Sequence, residues 1–113
     1  MNFKNNFNDI IQHKTKTNLI YQDKLVTAFN DINPKAPIHI LVISNILIPT
    51  LNHMKKKHIK ILGHMIYIAT KIAKNKNIAS SGYRLILNCN KDAGQEISHI
   101  HIHLIGGKQL NSF

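Results

Sequence analysis

From Ser98 to Gly107 the chain reads SHIHIHLIGG, with histidine at 99, 101 and 103 and an aliphatic residue after each. In a β-strand, successive side chains point to opposite faces. The stretch therefore reads as a strand that turns Ile100, Ile102 and Leu104 toward a core and His99, His101 and His103 away from it. The aliphatic face requires a covering layer. The imidazole face requires a chemical reason, because a surface strand of this chain would more naturally carry its abundant Lys and Asn.

The rest of the chain supplies that layer and further strands. NDIIQ near the start reads as a short helix, and NLIY and KLVTAFND as two strands joined by the polar turn QDK. INPKAP, with two prolines, is a loop. IHILVIS is a near-continuous apolar strand carrying His39. One long helix is expected from about Asn52 to Asn75, with two apolar stripes. Ile61, Met65, Ile68 and Ile72 form one; Ile59, Leu62, Ile66, Ala69 and Ala73 form the other. At about 100° per residue the stripe centres lie roughly 110° apart. One stripe can cover the sheet. The other calls for a partner, most simply a second copy, and the 61/65/68/72 stripe is assigned to that contact. His58 and His64, beside the stripes, read as packing or surface residues. SGYRLILNCN alternates as a strand, and NKDAGQE is a glycine-bearing loop before the histidines. The layout predicts a single α+β domain over 1–113: an antiparallel sheet with one long and one short helix.

With 113 residues, 43% of them hydrophobic, the chain can build one modest core, and small domains of this kind often gain burial by dimerising. Cys89 is the only cysteine, which excludes an internal disulfide. The start resembles no signal peptide and no apolar run reaches membrane-spanning length, so a cytoplasmic protein with no membrane partner is expected. The formal charge is +10. Fourteen of the fifteen basic residues are Lys, in a chain also crowded with Ile and Asn. These lysines form no aromatic-studded stripe, so no nucleic-acid partner is expected. KKKH at 55–58 reads as a solvated helix turn.

The histidine row admits two chemistries. Alternate imidazoles can bind zinc, but a structural site usually takes four ligands and no Cys pair stands nearby; a catalytic three-His site remains open. The alternative is phosphate chemistry. Gly94 in AGQE lets the backbone approach an anion, and Asn88 on the neighbouring strand offers an amide donor. A neutral imidazole is a competent nucleophile, neighbouring imidazoles resist each other's protonation, and a flanking one can be charged to stabilise the phosphate or pass a proton to a leaving group.

HIHIHLIGG resembles the His-x-His-x-His-x-x motif of the histidine triad (HIT) family. YQDKLVTAFNDINPKAPIHILVI, GYRLILNCNKDAGQE and GGKQL resemble its nucleotide-binding branch of bacterial-type purine nucleoside phosphoramidases, in order and over roughly Phe7 to Leu110. The resemblance implies a five-stranded antiparallel sheet with a long helix, dimerising into a continuous sheet. It implies a hydrolase that cleaves the P–N bond of nucleoside 5′-phosphoramidates; with no fourth ligand or Cys pair near the triad, activity without a cofactor or metal is expected. His101 would form a nucleotidyl intermediate, His103 would meet the phosphate and leaving group, and His99 and His39 would orient the nucleophile. Asn88, the Gly94–Gln95–Glu96 loop and the backbone near the triad would hold the α-phosphate, and Asp31 the ribose. Phe7, Ile10, Phe29 and Ile32 would form the purine slot.

The chain departs from some relatives. Asn5 and Asn8 stand where those carry a zinc-binding Cys-x-x-Cys, Glu96 where many have Ser, and Leu47 where some have His. The alternatives are a nucleotide-binding regulatory protein with incidental catalysis, and a dinucleoside polyphosphate hydrolase or nucleotidyltransferase. Gly106 and Gly107 after the triad argue against the latter pair.

Overall fold

The computed structural model describes residues 7–13 and 18–113. Its elements are α1 (Phe7–Ile11), β1 (Leu19–Gln22), β2 (Val26–Asn30), β3 (Ile38–Ser44), α2 (Ile59–Asn75), β4 (Tyr83–Ile86) and β5 (His101–Gly106). The strands form one antiparallel five-stranded sheet in the order β1-β2-β3-β5-β4. The expected α+β architecture is present. Of the two asparagines at the expected Cys-x-x-Cys positions, Asn5 lies outside the described residues and Asn8 is exposed on α1.

Two apolar clusters lie on the two faces of the sheet. On one face α2 covers Val26, Ala28, Ile40, Val42, Ile100, Ile102 and Leu104. On the other, Leu41 and Ile43 pack with Phe29 and with Phe7 and Ile10 of α1. Both faces of β3 are thus covered, which is why IHILVIS reads as a continuous apolar run instead of an alternating one. In β5 the alternation is kept, with Ile102 and Leu104 buried under α2.

The structure corrects the assignment of the helix stripes. Met65, Ile68 and Ile72, expected at a dimer contact, are buried in the core with Ala69 and Ala73, and Ile61 packs against it. The exposed apolar residues of α2 are Ile59, Ile66 and Tyr67. The helix also begins later than expected. Residues 51–58 form two 3₁₀ turns, Leu51–His53 and Lys56–His58, the first capped by the Thr50 side chain accepting from Asn52 N. The first turn of α2 has no acidic residue, and a lysine run ahead of it opposes the positive end of the helix dipole, which disfavours extending the helix backward.

The last two strands are shorter than their alternation suggests. β4 ends at Ile86, and Asn90, at φ 67°, turns the chain into the loop. β5 starts at His101, the last residue with a partner on β3, namely Ile43. Glycine suits both positions where β5 ends, Gly106 by close packing and Gly107 by its backbone conformation. A Cβ on Gly106 would lie 2.8 Å from Ile78 Cδ1, and Gly107 has φ +93°.

Candidate functional site

Four imidazoles gather on the sheet face that carries α1. Residues directly opposite on antiparallel strands share a face, so the pairs Leu41–His103, Ile43–His101 and His39–Ile105 place His39, His101 and His103 together. The ring centroids of His101 and His103 are 5.0 Å apart, and those of His39 and His103 are 5.2 Å apart. His99 sits just ahead of β5. Phe7 touches both His99 and His101 edge-on, with centroid distances of 5.4 and 5.3 Å.

Backbone groups fix where each proton sits. His101 Nδ1 lies 2.7 Å from the His99 carbonyl, which can only accept, so Nδ1 carries the proton and Nε2 carries a lone pair. His99 Nε2 donates to the Ser44 carbonyl at 2.6 Å. Lys35 N–H donates to His39 Nδ1 at 3.0 Å, leaving the His39 proton on Nε2. His39 Nε2 then donates to His103 Nδ1 at 2.9 Å, so the His103 proton is on Nε2. The result is one nucleophilic nitrogen, on His101, beside one N–H donor, on His103.

Burial pushes the pKa of all four imidazoles below the usual 6.5. For His103 the neighbouring His101 and His39 add to burial, and it is pushed down to about 4. The mutual resistance to protonation expected from the sequence is present. The charged flanking imidazole is not: at neutral pH His103 offers a neutral N–H. Since unfolded histidines take up protons first as pH falls below 6.5, stability rises with pH across the window from about 4 to 6.5 and is lost on acidification through it. Asp23 acts in the same direction at lower pH. Burial opposes its ionisation, but bonds from His64, Tyr21 and the N–H groups of Val26 and Leu25 outweigh this and hold it well below the usual carboxylate range. The thermal midpoint should fall steadily from pH 7 to pH 4.5. A His103→Asn variant should lose less over the same range, and equal losses in both proteins would contradict the assignment.

Asp31 joins this group. Its Oδ2 lies 3.4 Å from His39 Nε2, while Oδ1 accepts from Asn33 N. Ligand atoms of Asp31, His39 and His103 lie within 4.8 Å of one another, a spacing that could hold a metal ion. Sequence reasoning missed this trio, because its members come from three separate segments. It also missed Lys35 and Ser44, which act through backbone groups and leave no side-chain signal.

Other expected positions sit differently. Phe7, Ile10 and Phe29 come together, but as a closed cluster, exposed by only 3%, 6% and 4%, rather than an open slot; Ile32 is 76% exposed. Asn88 lies beyond the end of β4, not on it. In the 94–96 loop, Gly94 takes the left-handed φ of 86°. The N–H groups of Gly94 and Gln95 donate to the carbonyls of Lys91 and Asn90, so both are committed within the loop. The Gln95 side chain braces the loop by donating to Pro49 O and Ile97 O and accepting from Asn90 N. Glu96 is exposed.

Comparison with known proteins accords with this geometry. Residues 12–110 match the model of the HIT domain. The chain is 56% identical to an uncharacterised HIT-like protein of Buchnera aphidicola from Acyrthosiphon pisum, over 95% of this chain and 94% of that one. It is 54% identical to the purine nucleoside phosphoramidase of Escherichia coli K12, over 92% of this chain and 87% of that one. Among solved structures, a histidine triad protein from Clostridium difficile superposes with a TM-score of 0.92 at 37% identity, covering 100% of this chain and 99% of the other. With the triad strand, the sheet order and the match across nearly its full length in agreement, the chain belongs to the HIT family.

Proposed function

We propose that this chain is a purine nucleoside 5′-phosphoramidate hydrolase, releasing a nucleoside monophosphate and an amine. The observation that carries the mechanism is the hydrogen bond from His101 Nδ1 to the His99 carbonyl, which leaves Nε2 unprotonated and free to attack. The identity to a protein named for this activity supports the substrate class.

In the first step His101 Nε2 bonds to phosphorus and the P–N bond of the substrate breaks. The leaving nitrogen takes a proton from solvent and departs as the amine, while the neutral His103 Nε2–H donates a hydrogen bond to a phosphoryl oxygen. His39 holds His103 in the tautomer this requires. In the second step water attacks phosphorus and loses a proton to solvent, the P–N bond to His101 breaks and returns its electron pair to Nε2, and the monophosphate leaves. Asp31 accepts the ribose hydroxyls. Asn88 and the Glu96 N–H hold the phosphate, with Gly94 and Gln95 keeping the loop in shape. The base lies against Ile32, exposed beside Asp31, at the edge of the Phe7–Ile10–Phe29 cluster.

The active form is a homodimer in the cytoplasm, where the lone Cys89 stays reduced. Exposed Ile59, Ile66 and Tyr67 on α2 support such a contact.

The test is incubation with adenosine 5′-phosphoramidate, with and without chelator. AMP should appear at the same rate in both. Failure to release AMP would favour a regulatory nucleotide-binding protein. Loss of activity in chelator with recovery in zinc would transfer the chemistry to a metal on Asp31, His39 and His103.

A further inference from the structure

A cavity of about 460 Å³ lies outside the histidine site, between the segment after β3 and the two 3₁₀ turns that precede α2. Its walls include Leu47, Pro49, His53, Lys55, Lys57 and His58, and its lining contains no carboxylate. The sequence has no Asp or Glu between Asp31 and Asp92. The volume is within the usual range for a small-molecule site.

The polar part of the lining is built to donate. His58 is only 7% exposed, and its Nδ1 accepts the Lys55 N–H at 3.0 Å. Its own proton is therefore on Nε2, the nitrogen left for another partner. His53 Nδ1 is occupied by the Thr50 hydroxyl at 2.8 Å, which again leaves Nε2. Lys55 and Lys57 bring two ammonium charges to this wall with no acid beside them, and an anion is the complement they lack. The remaining wall is apolar, and Leu47 is 66% exposed on it.

We propose that this cavity binds a small organic phosphate monoester, with the phosphate on Lys55, Lys57, His53 and His58 and the apolar body against Leu47 and Pro49. A phosphate dianion has three terminal oxygens for four donor groups, and charge-assisted bonds to such an anion are the strong ones.

The test is an NMR titration of the full chain with phenyl phosphate, following the side-chain signals of every histidine. Saturable shifts of His53 and His58 are expected, distinct from any at His101 and His103. The double variant Lys55→Ser/Lys57→Ser should weaken the His53 and His58 titration about tenfold. Each single variant, at an exposed position, should weaken it by a smaller factor. The proposal is overturned if only His101 and His103 shift, if the His53 and His58 shifts fail to saturate or are reproduced by sodium chloride at equal ionic strength, or if the lysine variants titrate as the parent does.

Discussion

Replacing His101 with Ala should lower turnover of a nucleoside phosphoramidate by roughly a thousandfold or more while nucleotide binding persists. The β5 strand holds no Ser, Cys or Lys that could substitute as nucleophile. His103 cannot take over without rearrangement, because its Nδ1 accepts from His39 and its Nε2 carries the proton. Binding should survive because Asp31, the apolar cluster and the phosphate loop are untouched. His101→Gly should bind at least as well, since it makes room without burying an unpaired polar group. Steady-state kinetics together with calorimetric titration of AMP separate the two effects. Near-normal turnover in His101→Ala would reject the assigned nucleophile.

A second pair of substitutions separates the two faces of α2. Met65→Asp should abolish folding, because Met65 is fully buried and an unpaired carboxylate there costs several kcal/mol. That is comparable to the whole stability of a domain this size, about 5–15 kcal/mol. Ile66→Asp, one residue on, should leave the circular dichroism spectrum intact and give a monomer by light scattering, because Ile66 is 44% exposed and faces outward. A folded Met65→Asp protein would contradict the placement of the core. A dimeric Ile66→Asp protein would show that the subunits meet elsewhere.

These helix positions also show where the sequence becomes ambiguous. Ile61, Met65, Ile68 and Ile72 have the same helical spacing as Ile59, Leu62 and Ile66, so periodicity identifies an amphipathic helix with a broad apolar arc but not which edge meets the sheet. Ala69 and Ala73 of the second stripe are buried together with Met65, Ile68 and Ile72, so the buried arc takes in parts of both stripes and leaves Ile59 and Ile66 outside it. The strands were easier to read. The two-residue period of β5 places Ile102 and Leu104 under α2 and sets His101 and His103 on the opposite face. The row of histidines pointed to the site, but its electrostatics depend on groups with no sequence signature. The His99 carbonyl, the Ser44 carbonyl and the Lys35 N–H are backbone atoms, and the fold alone brings them to the rings. The same holds for His103. Its low pKa arises from burial and from His101 and His39, the latter 64 residues away in the chain.

The central claim is that His101 carries the nucleotidyl group. It is tested by mixing the protein with adenosine 5′-phosphoramidate, quenching rapidly without acid, digesting, and mapping the adenylylated peptide by mass spectrometry. The account predicts a single AMP adduct on His101, absent from His101→Ala and His101→Gly. An adduct on His99 or His103, or full turnover with no adduct at any time point, would contradict it.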